Sequence, residues 1–405
     1  MKKDILFLCQ FFYPEHNSSA TLPFDTAKYL AAQGYKVGAL CGYPKEYCKD
    51  KDVPMKEIVY GVDIQRLKYL QFQRKQKLSR LINYLSFTFK VFLNIWKLKD
   101  YRATVVYSNP PVLPIVPVVA RVLFGTKMIF VAYDIYPEVA YASNSLKKGS
   151  IIDYGMKFIN KLMYKYVDKV ISLTDEMKVF LVNNRPELSV GKIVTIANWA
   201  HEKKLSPNKE AYARFGYKNQ QFIVSYFGNM GICQNMDTLL GAAKILRNDD
   251  RVRFLLIGHG SKKESVKQRI VEENLTNVQE LDFITGKDFE QAVSISSVSV
   301  VSLEKGLIGT CAPSKYYSYL QGGQPILAVV ESESYLAYEV GKEKIGYAVE
   351  LGESALLANN IIKMVENREE CISMGKRAER LYEEKYSYNI AMAKYRNVIR
   401  DVLNS

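Results

Sequence analysis

The sequence has few of the residues that build metal centres or disulfide frameworks. Its 405 residues include three histidines and six cysteines. The histidines, at positions 16, 201 and 259, are far apart and make no metal-ligand spacing. The cysteines form no CxxC pair, which excludes a zinc ribbon or a disulfide framework and favours reduced thiols in a cytosolic protein. They are Cys9, Cys41, Cys48, Cys233, Cys311 and Cys371.

Long apolar runs are also missing. No stretch reaches the roughly 18 uncharged apolar residues of a membrane span. The start, with Lys2 and Lys3 before an apolar run, is faintly similar to a signal peptide, but Gln10 interrupts the run and a buried first strand is the better interpretation. The chain has no P-loop and no G-x-S-x-G motif, and its acidic pair Asp50 and Asp52 is expected in a solvent-exposed loop.

Positive charge is in excess, and it lies in the first half of the chain. The net charge is +14. Residues 1–200 carry 29 Lys and Arg against 16 Asp and Glu, a net of +13, whereas residues 201–405 are nearly balanced at +1. The first half is therefore expected to meet a membrane surface, a phosphate-bearing substrate or nucleic acid, unless its basic surface is merely solvated. Nucleic acid ranks last, because the aromatic residues show no RNA-binding pattern.

Apolar strands alternate with helical patterns in both halves. In the first half, strands are predicted at 5–11, 37–41, 104–108, 128–133 and 169–173, and helices at 21–33, 112–124 and 151–166. In the second half, strands are predicted at 222–227, 254–257, 298–303 and 325–330, and helices at 236–246 and 262–273. This alternation predicts two doubly wound parallel sheets, with the cleft between two such domains as the default site.

The domain boundary is predicted where strand 193–197 gives way to a charged polar segment. We expect an N-terminal domain over residues 1–200 and a C-terminal domain over 201–385. The last segment, 386–405, is expected to form a helix that packs back on the first domain.

Two glycine turns follow strands of the second half. They are Gly228-Asn229-Met230-Gly231 and Gly258-His259-Gly260, the latter expected to open a helix. Glycines there let backbone amides and a helix N-terminus approach a phosphate. Lys263 replaces the third glycine of the dinucleotide pattern, so a structural turn is an equal alternative for the second motif. Two such turns together favour a nucleotide site.

A lysine opens another predicted helix of the second half. Pro313 and Ser314 precede Lys315, and the helix ends at Gly322. A lysine in the first turn opposes the helix dipole unless an anion sits there. We therefore predict that Lys315 holds an anion; the alternative is an exposed lysine that points away.

Basic and apolar residues are interspersed along residues 74–99. Apolar residues recur at helical spacing up to Trp96, and basic residues cluster at both ends. One interpretation is a core helix with snorkelling lysines, and the other is an interfacial helix on anionic lipid. We favour membrane contact, through the residues Arg74, Lys75, Lys77, Arg80 and Trp96.

The stretch DIYPE ends the apolar run 128–133. Asp134 and Glu138 flank a proline at which the chain changes direction. Ligands of parallel-sheet proteins bind at the carboxyl ends of strands, so Asp134 is a candidate site residue. A helix cap is the alternative role for Asp134.

Five motifs together resemble the retaining, GT-B-fold glycosyltransferases of family 4, over nearly the whole chain. QFFYPEHNSSA at 10–20 resembles the first-strand loop, DIYPE the D-L-W-P-E motif of polysaccharide-building members, and NWA at 198–200 the interdomain Asn-Trp motif. GNMGICQNMDTLL from 228 resembles the donor-domain opening, and PSKYYSYLQGGQPILA from 313 the P-S-K signature. The resemblance implies an α/β protein with two Rossmann-like domains that face each other across a cleft.

The resemblance also assigns roles to residues. It makes Asp134 the catalytic residue that faces the reacting sugar, with Glu138 as a cap or supporting group. It makes residues 1–200 the acceptor-binding domain, with Glu15, Ser18 and Ser19 in the acceptor loop, and residues 201–385 the nucleotide-sugar-binding domain. The donor would be held by Gly228, Asn229, Gly231, Gln234, Gly258, His259, Lys263, Phe283, Pro313, Ser314, Lys315 and Ser318.

The sequence departs from the family pattern in two ways. Thr310 and Ser318 stand at the positions of the family's paired glutamates. The Arg and Lys that clamp the donor diphosphate in many members are not evident after Gly228. The second glutamate usually binds the ribose, so Ser318 keeps open a non-catalytic accessory subunit that supports a partner transferase.

The resemblance predicts transfer of a sugar from a nucleotide diphosphate sugar, with UDP favoured and GDP next. The acceptor would be a polyprenyl-diphosphate-linked or other glycan in capsule, exopolysaccharide or O-antigen synthesis. Location at the cytoplasmic face of a bacterial membrane is expected, without nucleic acid and without a metal cofactor, because lysine and helix dipoles can stabilise the leaving diphosphate.

Overall fold

The structure is a computed structural model that describes residues 2–45, 48, 52–72, 77–200, 209–284 and 286–405. They form two compact units. Unit 1 comprises Met1–Asn198, Gly309–Ala312 and Asn389–Ser405. Unit 2 comprises Trp199–Ile308 and Pro313–Tyr388. The short segment Gly309–Ala312 thus belongs to unit 1 although it lies far along the chain, which no sequence pattern indicated.

Unit 1 contains, among its described residues, an eight-stranded sheet in the order β3-β4-β2-β1-β5-β6-β7-β8. Its pairs are parallel except β3 with β4, which is antiparallel and was not predicted. The strands are β1 (Lys3–Cys9), β2 (Val37–Gly42), β3 (Lys56–Val59), β4 (Val62–Leu67), β5 (Tyr101–Tyr107), β6 (Lys127–Ala132), β7 (Lys169–Ser172) and β8 (Ile193–Thr195).

Helices connect these strands. They are α1 (Ser18–Ala32), α2 (Lys77–Phe92), α3 (Ile115–Phe124), α4 (Glu138–Ala142), α5 (Ile151–Tyr166) and α6 (Asp175–Asn184), with 3-10 turns at Ile95–Asp100 and Val190–Lys192. Local signals set several ends: Ser150 accepts a hydrogen bond from the Asp153 amide at the start of α5, and Gly125, at φ +68°, ends α3.

Unit 2 contains a six-stranded parallel sheet in its described part, in the order β11-β10-β9-β12-β13-β14. The strands are β9 (Phe222–Asn229), β10 (Val252–His259), β11 (Val278–Leu281), β12 (Val298–Ser302), β13 (Ile326–Val329) and β14 (Gly346–Val349). The helices are α7 (Lys209–Arg214), α8 (Asp237–Ile245), α9 (Lys263–Glu272), α10 (Lys287–Ile295), α11 (Lys315–Gln321), α12 (Tyr335–Lys342), α13 (Ser354–Glu366) and α14 (Arg368–Leu381), with a π-helix at Tyr382–Tyr386. The last helix, α15 (Tyr388–Asn404), belongs to unit 1 from Asn389 onward.

Both sheets are buried on two faces, as parallel sheets require. Strands such as β2 and β12 are apolar or small along their whole length and are buried at every residue. In unit 1 the end of α15 is fastened by Arg102 and Lys127, which donate to the carbonyls of Leu403 and Val402. The predicted doubly wound parallel-sheet fold is therefore confirmed, and the carboxyl ends of β1, β5 and β6 lie side by side.

Candidate active site

The glycine turns of unit 2 lie where β9 and β10 come very close. Gly228 and Gly258 are register partners, and a Cβ at Gly258 would lie 1.8 Å from the Gly228 carbonyl oxygen. Only glycine fits there, so part of the glycine pattern is explained by strand packing. The prediction that Gly258-His259-Gly260 opens a helix was wrong in detail, because β10 continues through His259 and α9 begins at Lys263.

The loop after β9 is held by a lysine that the sequence analysis missed. Gly231 donates its amide to the Gln234 side-chain oxygen, at 3.0 Å. The Lys262 amine donates to the Gln234 carbonyl at 2.8 Å and pairs with Glu304 at 2.7 Å. The only sequence signal for Lys262 was its place after the second glycine turn, whereas Glu304 comes from a distant loop. This network fixes the shape of the Gly228–Gly231 turn.

Lys315 contributes a buried amine to the same edge of unit 2. Its Nζ lies 3.7 Å from the centroid of the Tyr226 ring and has no hydrogen-bond partner among the described residues. A Cβ at Gly228 would lie 3.8 Å from this Nζ, so the amine adjoins the first glycine turn. Burial lowers the pKa of Lys315 to about 7. The alternative of an exposed lysine is therefore wrong.

The other residues predicted to bind the nucleotide-sugar donor differ in burial and in their contacts. Lys263 is buried and pairs with Glu280, at 3.1 Å, and with Asp282, which weighs against a role in holding phosphate. His259 and Phe283 are exposed and meet edge to face, with ring centroids 5.3 Å apart. The Asn229 side chain packs against Gly231 and Gly260, since a Cβ at these glycines would lie 2.6 Å and 2.5 Å from its side-chain nitrogen and oxygen.

The start of α11 carries the remaining donor candidates. Pro313 and Ser314 precede the helix, and Ser314 is its N-cap without a side-chain capping bond. Ser318 is half-buried on α11, and its carbonyl accepts from the Gly322 amide. Its hydroxyl does not reproduce the carboxylate that the family pattern has at this position. The roles of these residues toward a donor stay predictions.

Asp134 lies at the carboxyl end of β6 in unit 1. Ser108, at the end of β5, accepts from the Asp134 amide at 3.0 Å and from the Tyr133 amide at 3.1 Å. The Asp134 carboxylate has no hydrogen bond or ion pair to any described residue, and burial alone raises its pKa to about 6. The following helix, α4, has Pro137 as its N-cap. The helix-cap alternative for Asp134 is therefore wrong.

The segment Gly309–Ala312 lies against the backbone of Asp134. Asp134 and Cys311 form an isolated antiparallel bridge, and the Ile135 amide donates to the Thr310 carbonyl at 2.7 Å. The Gly309 amide donates to the Glu176 carboxylate at 3.0 Å. Thr310, one of the two positions that depart from the family pattern, is therefore fixed next to the candidate catalytic residue.

Glu138 differs from Asp134 because it is paired. Its carboxylate meets the Arg185 guanidinium at 2.6 Å, and Arg185 also donates to the Tyr136 carbonyl. Arg185 lies 47 residues from Glu138, so sequence reasoning missed it. This geometry agrees with the supporting role that was expected for Glu138 and ties the DIYPE turn to the end of α6.

The loop after β1 brings further polar groups to the carboxyl edge of unit 1. Glu15 is buried, while Ser18 and Ser19 begin α1. Gln10 is 2% exposed and its Oε1 has no hydrogen-bond partner in the described part of the chain. Oδ1 of Asn109, two residues after β5, is also buried without a hydrogen-bond partner among the described residues. These orphaned oxygens were not singled out from the sequence, because their lack of partners is a tertiary property.

The basic and apolar stretch is only partly described. Arg74 and Lys75 lie outside the described residues, as does the side chain of Lys77. The described part is α2 and the following 3-10 turn, rather than one continuous helix. One face is buried through residues such as Phe87 and Val91, whereas Phe89 and Trp96 are 59% and 63% exposed. Arg80 is half-buried. The buried face agrees with the core interpretation, and membrane contact through the exposed face stays a prediction.

The exposed apolar surface continues onto neighbouring helices. α3 packs against α2, against the 3-10 turn Ile95–Asp100 and against α5. We call the exposed apolar residues of these elements the apolar face of unit 1. They are Leu78, Leu85, Phe89, Phe92, Leu93, Trp96, Val122, Leu123, Ile151, Ile152, Tyr154 and Phe158. None of the helices in the described ranges is both long and apolar enough to cross a membrane.

Metal ligands are not grouped in the part of the chain that the structure describes. No three or more His, Cys, Asp or Glu side chains there are arranged to hold an ion. The loop with Asp50 falls partly outside the described residues.

Comparisons with known proteins agree on the class of enzyme. Residues 208–381 match the family model "Glycosyl transferases group 1". The Pseudomonas aeruginosa protein WbjE, described as a "probable glycosyltransferase", is 26% identical over 344 residues, which cover 82% of this chain and 84% of WbjE.

Solved structures show the fold. Sucrose-phosphate synthase from Thermosynechococcus elongatus superposes with a TM-score of 0.75 at 16% identity, over the full length of both chains. Anabaena HepE, in complex with UDP-glucose, has a TM-score of 0.68 at 15% identity, over 99% of both chains. The chain is accordingly a glycosyltransferase with the GT-B fold and has a glycosyl transferases group 1 domain over residues 208–381.

Proposed function

We propose that the protein moves one sugar, with retention, from a UDP-sugar to a lipid-linked or glycan acceptor in bacterial surface-polysaccharide synthesis. One observation carries the proposal. Among the described residues, the carboxyl edge of each sheet has a desolvated ionisable group without an ion-pair partner, the half-buried Asp134 in unit 1 and the buried Lys315 amine in unit 2. Charged groups that are buried without partners are costly and cluster at functional sites. The UDP-glucose bound to HepE supports UDP as the nucleotide.

Unit 2 is the donor-binding half. The turn Gly228–Gly231 is shaped by glycines and by the Lys262 network, and Lys315 lies beside it. A diphosphate on this turn gives the Lys315 amine the hydrogen-bond acceptors that it lacks. As the bond to the sugar breaks, negative charge grows on the leaving diphosphate, and a buried cation stabilises it more strongly than a solvated one. We propose that no metal is needed, so that EDTA leaves turnover unchanged.

Unit 1 is the acceptor-binding half and supplies Asp134. Its carboxylate can accept a hydrogen bond from a sugar hydroxyl, because it makes no hydrogen bond or ion pair to a described residue. Gln10 and Asn109, at the ends of adjacent strands, have buried oxygens without donors, which a hydroxyl-rich acceptor satisfies. Glu138 holds the DIYPE turn through Arg185 and so acts as a positioning residue.

The acceptor is proposed to be lipid-linked because of the surface of unit 1. The apolar face of unit 1 lies in the half of the chain that carries the net charge of +13. Lys90 and Lys99 are exposed within α2 and the 3-10 turn after it. Apolar side chains flanked by basic ones match an anionic membrane surface, on which a polyprenyl diphosphate acceptor would be anchored.

The experiment that tests the proposal follows labelled sugar from a panel of nucleotide sugars into lipid extracts of bacterial membranes. We expect transfer from a UDP-sugar to a lipid-soluble product whose anomeric configuration matches that of the donor. Transfer from GDP-sugars alone would correct the nucleotide, and inversion would correct the stereochemistry. No transfer from any donor, with folded protein and membranes from the source organism, would contradict the function.

A further inference from the structure

Among the described residues, no group stabilises the charged form of the Lys315 amine in the free protein. Its Nζ is buried and makes no hydrogen bond within the described chain. The Tyr226 ring face, 3.7 Å away, attracts a cation but offers no lone pair in place of water. Desolvation therefore disfavours the ammonium form, and the pKa of Lys315 falls to about 7 from an ordinary 10.5.

No counter-charge comes from the elements around Lys315. Besides β9, its helix α11 packs against β12, α14 and the π-helix Tyr382–Tyr386. The nearby tyrosines are engaged and neutral: Tyr226 donates to the Asn229 carbonyl, and Tyr319 on α11 bonds to the Phe227 backbone. Glu304, after β12, pairs with Lys262, and Lys385 of the π-helix pairs with Glu339. Burial is accordingly the one cause of the pKa shift.

We propose that Lys315 takes up a proton from solvent when the donor diphosphate binds, so that the ligand creates the cation that holds it. This inference rests on the proposed function, because it needs a diphosphate at the Gly228–Gly231 turn. The phosphate oxygens supply hydrogen-bond acceptors and negative charge to an amine that has neither. The ammonium form then becomes favourable, and one N–H bond forms on Nζ with a proton drawn from the buffer.

The coupling predicts how binding depends on pH. With a pKa of about 7 in the free protein, Lys315 is about half charged at pH 7 and about one-tenth charged at pH 8. Binding should therefore take up about 0.5 protons at pH 7 and about 0.9 at pH 8. Because the uncharged fraction must first be protonated, affinity should be about tenfold weaker at pH 8 than at pH 6.

The test is calorimetric titration with UDP-glucose in pairs of buffers that differ in ionisation enthalpy. The slope of the observed enthalpy against the buffer enthalpy counts the protons taken up. UDP-glucose is the probe because each of its phosphates is bonded to one ester oxygen and to the bridging oxygen, so neither titrates here, whereas the terminal phosphate of UDP titrates at pH ~6. GDP-mannose, which has the same linkage, is titrated in parallel.

Two substitutions and a control identify the group. Lys315→Arg keeps a permanent cation and should bind with no proton uptake and no weakening from pH 6 to pH 8. Lys315→Met keeps the length, loses the charge, and should bind roughly tenfold or more weakly, also without proton uptake. Lys376→Met, at an exposed position of α14, should behave as the unchanged protein does.

The outcomes separate the two proposals. Binding of a nucleotide sugar with zero proton uptake at pH 7 and 8 overturns the inference and leaves the proposed function standing. Proton uptake that persists in both Lys315 variants also overturns it, because another group then takes the proton. Failure of the folded protein to bind either nucleotide sugar contradicts the donor site itself, and the inference falls with it.

Discussion

Each unit has, at the carboxyl edge of its sheet, one ionisable group without an ion-pair partner among the described residues, and the two groups carry opposite charges. In unit 1 the carboxyl end of a strand presents the Asp134 carboxylate, and in unit 2 the corresponding edge presents the Lys315 amine. Unit 1 also has an apolar face in a half of net charge +13, whereas residues 201–405 are nearly neutral at +1. This difference underlies our proposal that unit 2 binds an anion through one buried cation, whereas unit 1 binds an anionic surface through an extended face.

The largest expected effect is that of Asp134→Asn on turnover. A group that orients a reacting hydroxyl acts mainly in the transition state, so kcat should fall roughly 10²–10³-fold while the donor Kd stays unchanged. Steady-state kinetics and calorimetry measure the two quantities. Wild-type turnover in Asp134→Asn would remove the carboxylate from the mechanism.

The stability of the same variant has a defined pH dependence. Because the pKa of Asp134 is raised to about 6 from an ordinary 3.8, the folded state holds this proton more tightly than the unfolded state. The contribution of Asp134 to stability is therefore fully present below pH 3.8 and is lost as pH rises through 6. Asp134→Asn should melt at the same or a higher temperature than wild type at pH 7, and this advantage should disappear toward pH 4.

Lys315→Met tests the proposed cation of unit 2. Loss of a charge-assisted bond of about 1.5–3 kcal/mol should weaken nucleotide-sugar binding roughly 10–100-fold. The fold should be intact, because the amine makes no hydrogen bond to the described residues and the methionine side chain can still pack on the Tyr226 ring. Calorimetry measures the affinity and Lys376→Met is the control; equal affinities would place the diphosphate elsewhere.

The apolar face of unit 1 is tested by a double substitution, Phe89→Ser with Trp96→Ser. Both side chains are exposed, so folding should be unaffected. Burial of such a side chain contributes about 1.5–3 kcal/mol, so sedimentation with anionic vesicles should weaken by roughly tenfold or more for each. Ile372→Ser, 61% exposed on α14 of unit 2, should change nothing. Unchanged sedimentation of the double variant would exclude this face.

Basic residues give a complementary test of the predicted membrane contact. Replacing Arg74, Lys75, Lys77 and Arg80 by glutamine removes charges worth roughly 1 kcal/mol each near an anionic membrane. Vesicle binding should fall by orders of magnitude at low salt and less at high salt. Binding that is insensitive to both the charges and the salt would leave only the apolar contribution.

The smallest effect on turnover is expected for Glu138→Gln, which compares the paired Glu138 with the unpaired Asp134 of the same DIYPE stretch. It weakens the half-buried pair with Arg185, so the free energy of unfolding should fall by about 1–2 kcal/mol. Turnover should fall much less than in Asp134→Asn, because Glu138 acts through the position of the turn. A kcat loss as large as that of Asp134→Asn, without loss of stability, would make Glu138 a catalytic residue.

Much of the fold could be predicted because its signals are local. Buried strands of a parallel sheet are apolar throughout, and their alternation with amphipathic helices determines the doubly wound class. The predicted helix 151–166 coincides with α5, whereas β3 was missed because it is short and lies at a sheet edge. The position of Asp134 at a strand end was also local, since DIYPE directly follows the apolar run of β6.

The sequence by itself thus determined the alternating elements, the glycine turns and the charge of the first half, since each depends on neighbouring residues. Only the tertiary structure decided which charged groups have partners. Arg185 reaches Glu138 across 47 residues, and Gly309–Ala312 joins the backbone of Asp134 from more than 170 residues away. Lys315 is buried on Tyr226 because β9 and α11 pack together, and burial without a partner cannot be read from residue order. Ionisation depends on all neighbours in space, and most of these are distant in sequence.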